Sequence, residues 1–126
     1  MRIVLDSGAL IALERNERAM WRRLKSAQLA GSVPLTHGGI VGQAWRGQGP
    51  RQALLAKALT GVEVWGLDQA LGRAAGELLA ATGGNDVIDA ALVLLAEDND
   101  VVITSDPGDL EALAQASGRH VELIPA

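Results

Sequence analysis

The sequence predicts an α/β fold in three layers, a mostly parallel five-stranded sheet covered on both faces by helices. Three observations carry this. Short apolar runs alternate with longer stretches of helical periodicity. The runs Ile3-Val4-Leu5 and Val101-Val102-Ile103-Thr104 are apolar without alternation, as strands buried on both faces are. At 126 residues with 48% hydrophobic content, the chain matches one compact domain, 1–126.

The first strand is Ile3 to Leu5, and Asp6 falls where it leaves the sheet. Ser7-Gly8 then read as a tight turn into a short helix, Ala9 to Leu13. A longer helix covers Glu17 to Ala30, with Met20, Leu24 and Ala27 on one stripe and Arg18, Arg22, Arg23 and Lys25 on the other face. That basic face is open to two readings, a solvated surface or a phosphate contact. Gly31 stops the helix, and Ser32 to Thr36 reads as a second strand with Pro34 at its edge.

Helical patterning returns from Gly38 to Trp45, breaks at Gly47-Gln48-Gly49-Pro50, and resumes from Arg51 to Leu59. Trp45 is expected to serve packing, His37 to start a helix or turn, and His120 to lie on the surface. Val62 to Leu67 alternates as a strand should, and Asp68 caps a helix over Gln69 to Ala81. Asp86-Val87-Ile88-Asp89 opens an apolar helix reaching about Glu97. The buried strand Val101 to Thr104 follows, then Asp106, a helix from Pro107 and Asp109 through Ala114, and a last strand, Val121 to Ile124.

Composition narrows the chemistry. There is no cysteine and only two histidines, so a metal site must be built largely of oxygen. With no Phe or Tyr and three Trp, the chain lacks a platform for stacking bases. The longest wholly apolar run, Ala90 to Ala96, is too short to cross a bilayer, and the N-terminus lacks a signal-peptide pattern, so a cytoplasmic protein without membrane contact is expected. The net charge of −4 hides an asymmetry: residues 1–60 carry nine Lys/Arg and three acids, residues 61–126 two and twelve. A basic half beside an acidic half suits a protein that handles both phosphate and metal.

Acids stand at three strand ends or helix starts: Asp6, the pair Asp86/Asp89, and the pair Asp106/Asp109. Each alone fits a helix cap or a first-turn acid. A parallel sheet, however, collects all its strand carboxyl ends at one edge. Carboxylates gathered there repel one another unless a cation neutralises them, and oxygen donors select Mg²⁺ or Mn²⁺. The matching chemistry is metal-assisted phosphodiester hydrolysis.

Asp6 after a terminal hydrophobic strand, the helix start Asp89-Ala90, and Thr104-Ser105-Asp106-Pro107 followed by Asp109-Leu110 resemble the PIN-domain ribonucleases, especially the VapC-type toxins of bacterial toxin–antitoxin pairs. The resemblance spans nearly the whole chain. It implies the sheet order 3-2-1-4-5, an Mg²⁺- or Mn²⁺-dependent endoribonuclease acting on RNA of the tRNA or rRNA class, a homodimer, and a cognate antitoxin. Catalysis is expected of Asp6, Asp89 and Asp106, with Asp86, one helical turn from Asp89, as an extra carboxylate; metal binding of these and Asp109; orientation of metal or water of Gln43, Ser7 and Ser105; and contact with RNA phosphates of Arg46 and Arg51.

One position departs from the family. Gln43 stands where a glutamate is usual, and an amide can ligate but adds no charge and cannot act as a base. A PIN fold with weakened catalysis that binds RNA or a partner is therefore the alternative. Receiver-type and haloacid-dehalogenase-type phosphoryl-transfer folds fit less well. Both need a late lysine, whereas the last here is Lys57, and the second also needs an acid where Gly8 stands.

Overall fold

The computed structural model describes residues 1–126. Its five strands are β1 (Ile3–Leu5), β2 (Leu35–His37), β3 (Glu63–Trp65), β4 (Val101–Thr104) and β5 (Glu122–Pro125). They form one sheet in the order β3-β2-β1-β4-β5, with every neighbouring pair parallel. The predicted fold class and strand order are both present. Seven helices connect the strands: α1 (Ser7–Glu14), α2 (Arg18–Leu29), α3 (Gly38–Ala44), α4 (Pro50–Leu59), α5 (Gln69–Thr82), α6 (Val87–Leu95) and α7 (Pro107–Ala116). No single helix is long and apolar enough to cross a membrane.

The two central strands explain the architecture. Val4 and Leu5 are fully buried, and all four residues of β4 are buried, so both faces of the sheet centre are covered. On one side α1 packs against α2, α3 and α4; on the other α5, α6 and α7 pack together. One continuous apolar cluster of 28 buried residues joins the layers. At about 1.5–3 kcal/mol for each fully buried large aliphatic side chain, residues such as Leu10, Leu35, Leu92 and Ile103 make burial the force that aligns the strands.

Several boundaries move for identifiable reasons. Ser7-Gly8 do not form a turn outside the helix: they are the first turn of α1, because Asp6, in extended conformation, caps it directly through the Ser7 N–H. The second strand starts at Leu35 rather than Ser32 and includes His37, which also caps α3 by accepting from the Gly39 N–H at 3.1 Å. The alternating stretch 62–67 shortens to β3, whose three residues are all exposed, since an edge strand has less to pack against. Trp45 is not packed: α3 ends at Ala44, the chain turns extended, and the indole is left 39% exposed.

At the amino edge of the sheet, Asp100 does more than end a turn. Its buried carboxylate accepts from the Arg2 N–H at 2.7 Å, the Arg2 Nε at 3.1 Å and the Glu97 N–H at 2.9 Å, tying β1 to β4 at their starts. Burial alone raises such a carboxyl, but these donors and the guanidinium charge outweigh it and hold Asp100 below its usual value.

Candidate functional site

The carboxyl edge of the sheet carries the acids. Asp6 leaves β1, Asp106 follows β4, Asp109 sits in the first turn of α7, and Asp89 in the first turn of α6. These four, with Gln43 of α3, Ser7, Ser105 and Leu110, line one polar pocket of about 190 Å³. The chain thus brings eight residues from four separate segments to one place, as expected for an edge where parallel strands end.

Capping accounts for some of these acids only. Asp86 accepts from the Asp89 N–H at 3.1 Å and is the N-cap of α6. It does not line the pocket, though its charge reaches Asp89 and Asp109. Asp106 occupies the N-cap position of α7 but makes no side-chain capping bond. Instead its carboxyl lies beside that of Asp109, and their interaction raises Asp109 above its ordinary range. Asp89 is pushed from 3.8 up to about 6, first by partial burial, then by the charges of Asp86 and Asp6.

Asp6 is nine-tenths buried and held on both oxygens. One accepts from the backbone and hydroxyl of Ser7, the other from the buried hydroxyl of Thr104. Thr104 stands in the sequence motif without an assigned role, yet it joins the two strand-end acids, since its oxygen also accepts from the Asp106 N–H at 3.0 Å. The available signal was a lone hydroxyl ending an apolar strand. Thr36 plays a parallel part on β2, donating to the Leu5 carbonyl at 2.7 Å.

Gly8 allows the two halves of the site to meet. A side chain there would run into Ser105, whose backbone nitrogen would lie 2.8 Å from the added Cβ. His37 joins the other half. Its Nδ1 accepts from Gly39, so Nε2 carries the proton and donates to the Ile88 carbonyl at 2.9 Å, connecting the helix of Gln43 to that of Asp89.

The remaining predicted residues lie elsewhere. Arg46 folds back to donate to the carbonyls of Gly42 and Trp45, at 3.0 and 2.8 Å, and Arg51 is exposed near the start of α4. Neither lines the pocket. No three carboxylates or imidazoles converge tightly enough to enclose an ion by themselves.

Comparison with known proteins gives a structural result. No protein-family model matches the sequence, and no curated protein matches it. Among solved structures, a chain from the crystal structure of VapBC2 from Rickettsia felis bound to a DNA fragment from their promoter superposes with a TM-score of 0.70. The alignment covers 98% of each chain at 12% identity, which establishes a shared fold from end to end.

Proposed function

We propose that this chain is a divalent-metal-dependent endoribonuclease, the toxin member of a toxin–antitoxin pair. The observation that carries the reading is the pocket itself: Asp6, Asp89, Asp106 and Asp109 line it together, and of the four only Asp6 caps a helix through its side chain. The end-to-end likeness to a chain of a VapBC2 assembly supports a toxin-like role with an antitoxin partner. A homodimer belongs to the same reading.

The donor set fits a hard cation. Carboxylates plus the Gln43 amide oxygen offer only oxygen ligands, and the raised Asp89 carboxyl marks a place where added positive charge is favourable. Asp6, Asp89 and Asp106 would hold Mg²⁺ or Mn²⁺, with Asp109 beside them and Asp86 contributing charge from outside the pocket. Bound there, such an ion supplies Lewis acidity at a phosphoryl oxygen and a lowered pKa for water. The chain's own part is orientation. Thr104 and Ser7 fix the Asp6 carboxylate, Ser105 and the Asp106–Asp109 pair border the far side, and Gln43 offers an amide to water or ligand.

Gln43 gives a second reading a specific footing, because its amide adds no charge and no base to the pocket. In that reading the fold binds RNA or a partner and cleaves weakly. Incubating a panel of structured RNAs with the protein and Mn²⁺ separates the two. Cleavage lost in Asp6→Asn supports the nuclease. Cleavage unchanged in Asp6→Asn, or absent from the wild type, refutes it.

A further inference from the structure

Away from the carboxylate pocket, a cleft of about 530 Å³ opens between α2 and the end of α4, and the two share no residue. Arg18, Arg22 and Lys25 of α2 form one wall and Lys57 of α4 stands on the other, all exposed. No acid lines the cleft. Nor does any of these four cations have a carboxylate partner, for the chain's only salt bridges are those of Arg2. The basic face of α2 is therefore not neutralised by its own surface.

We propose that this cleft binds the phosphate backbone of single-stranded RNA, as a holding site distinct from the pocket where the acids lie. Arg18 and Arg22 are four residues apart, about 6 Å along the helix axis, and Lys25 follows about 4.5 Å further. The first of these rises is close to the separation of successive phosphates on one strand. The floor favours nucleic acid over an acidic amphipathic helix. Only Trp21 and Leu24 are apolar there, and Leu24 is buried. The Trp21 indole is itself partly buried against the core, so the floor offers too little apolar surface to seat a helix's apolar stripe.

Position extends the argument. Lys57 and Thr60 lie where α4 returns to the amino end of β3, while the acids lie at the carboxyl edge. A three-residue strand alone spans about 10 Å, so only a ligand several nucleotides long reaches both. A ligand held at both sites at once is therefore a polymer. This inference rests on the ribonuclease reading, and its test is arranged to fail separately.

The experiment is fluorescence anisotropy of a labelled 20-nucleotide single-stranded RNA with the full chain, in EDTA, across a salt series. Four phosphate contacts give a slope of log K against log salt of about −3, from about −0.7 per contact. Arg22→Glu/Lys25→Glu is expected to weaken binding at least tenfold and flatten the slope by more than 1. The milder Arg18→Gln/Lys57→Gln should act in the same direction, and Arg73→Glu, on α5, should change affinity less than twofold. The proposal is overturned by cleft variants that bind like wild type, by equal loss in Arg73→Glu, or by a wild type that binds polyglutamate in preference to RNA. Cleft-dependent binding without Mn²⁺-dependent cleavage refutes the nuclease reading alone. Cleavage with binding indifferent to the cleft refutes this proposal alone.

Discussion

Replacing Asp89 by Asn tests whether the crowded acids weaken the fold. A carboxyl raised from 3.8 to about 6 prefers the protonated native state, so its contribution to stability is full below about pH 4, falls as pH rises through 4 to 6, and stays low above. The difference corresponds to about 3 kcal/mol at about 1.4 kcal/mol per pH unit. Asp89 is only partly buried, and screening by solvent reduces this to about 1–1.5 kcal/mol. Losing a first-turn acid removes about 0.3–0.5 kcal/mol of helix-dipole stabilisation. Asp89→Asn should therefore gain about 1 kcal/mol at pH 8, near 4 °C in melting temperature for a chain of this size, and nothing at pH 4. Urea unfolding without divalent ions, at pH 4, 6 and 8, measures it. A variant less stable than wild type at pH 8, or equally stabilised at pH 4, would refute the reasoning. Saturating Mn²⁺ should reverse the ranking at pH 8, because ligand linkage stabilises only the chain that binds.

Further outcomes follow from the same geometry. Gly8→Ala forces a methyl into Ser105 and should cost about 1–3 kcal/mol in urea unfolding, with loss of any metal-dependent cleavage. Gln43→Glu adds a charge to the pocket and should tighten Mn²⁺ binding by calorimetry; equal or weaker binding would count against Gln43 as a ligand position. Asp100→Asn removes a carboxyl held below its usual value. Its contribution is present above about pH 4 and lost as pH falls through the lowered folded value, so an acid titration of wild type and variant should converge only at low pH.

The sequence made the parallel sheet and its central strands legible because both faces of β1 and β4 are buried, which leaves an unmistakable apolar run. It made Asp6, Asp89, Asp106 and Asp109 legible because topology sends every strand end to one edge. What it hid depends on contacts between distant segments. The Thr104 bridge to Asp6 spans 98 residues, as does the clamp of Asp100 on Arg2, and neither leaves a local pattern. The turn of the Arg46 Nη1 onto the carbonyls of Gly42 and Trp45 likewise depends on how the chain leaves α3, which no residue spacing announces. The basic face of α2 was ambiguous in sequence because only coordinates show whether an acid stands opposite.

The close passage of Gly8 against Ser105 has a consequence for how the pocket adjusts. With Thr104 binding Asp6 and meeting the Asp106 backbone, the β1 and β4 sides form one stiff block in which a shift of either acid drags the other. Gln43 and Asp89 belong to a second block, α3 with α6, held together by the His37 imidazole and by Ile88 lying against Gly39. Whatever enters the pocket thus meets strand ends cross-linked by side chains on one side and two helices on the other. Differences in ligand size should register as movement of α3 and α6, with the strand ends remaining still.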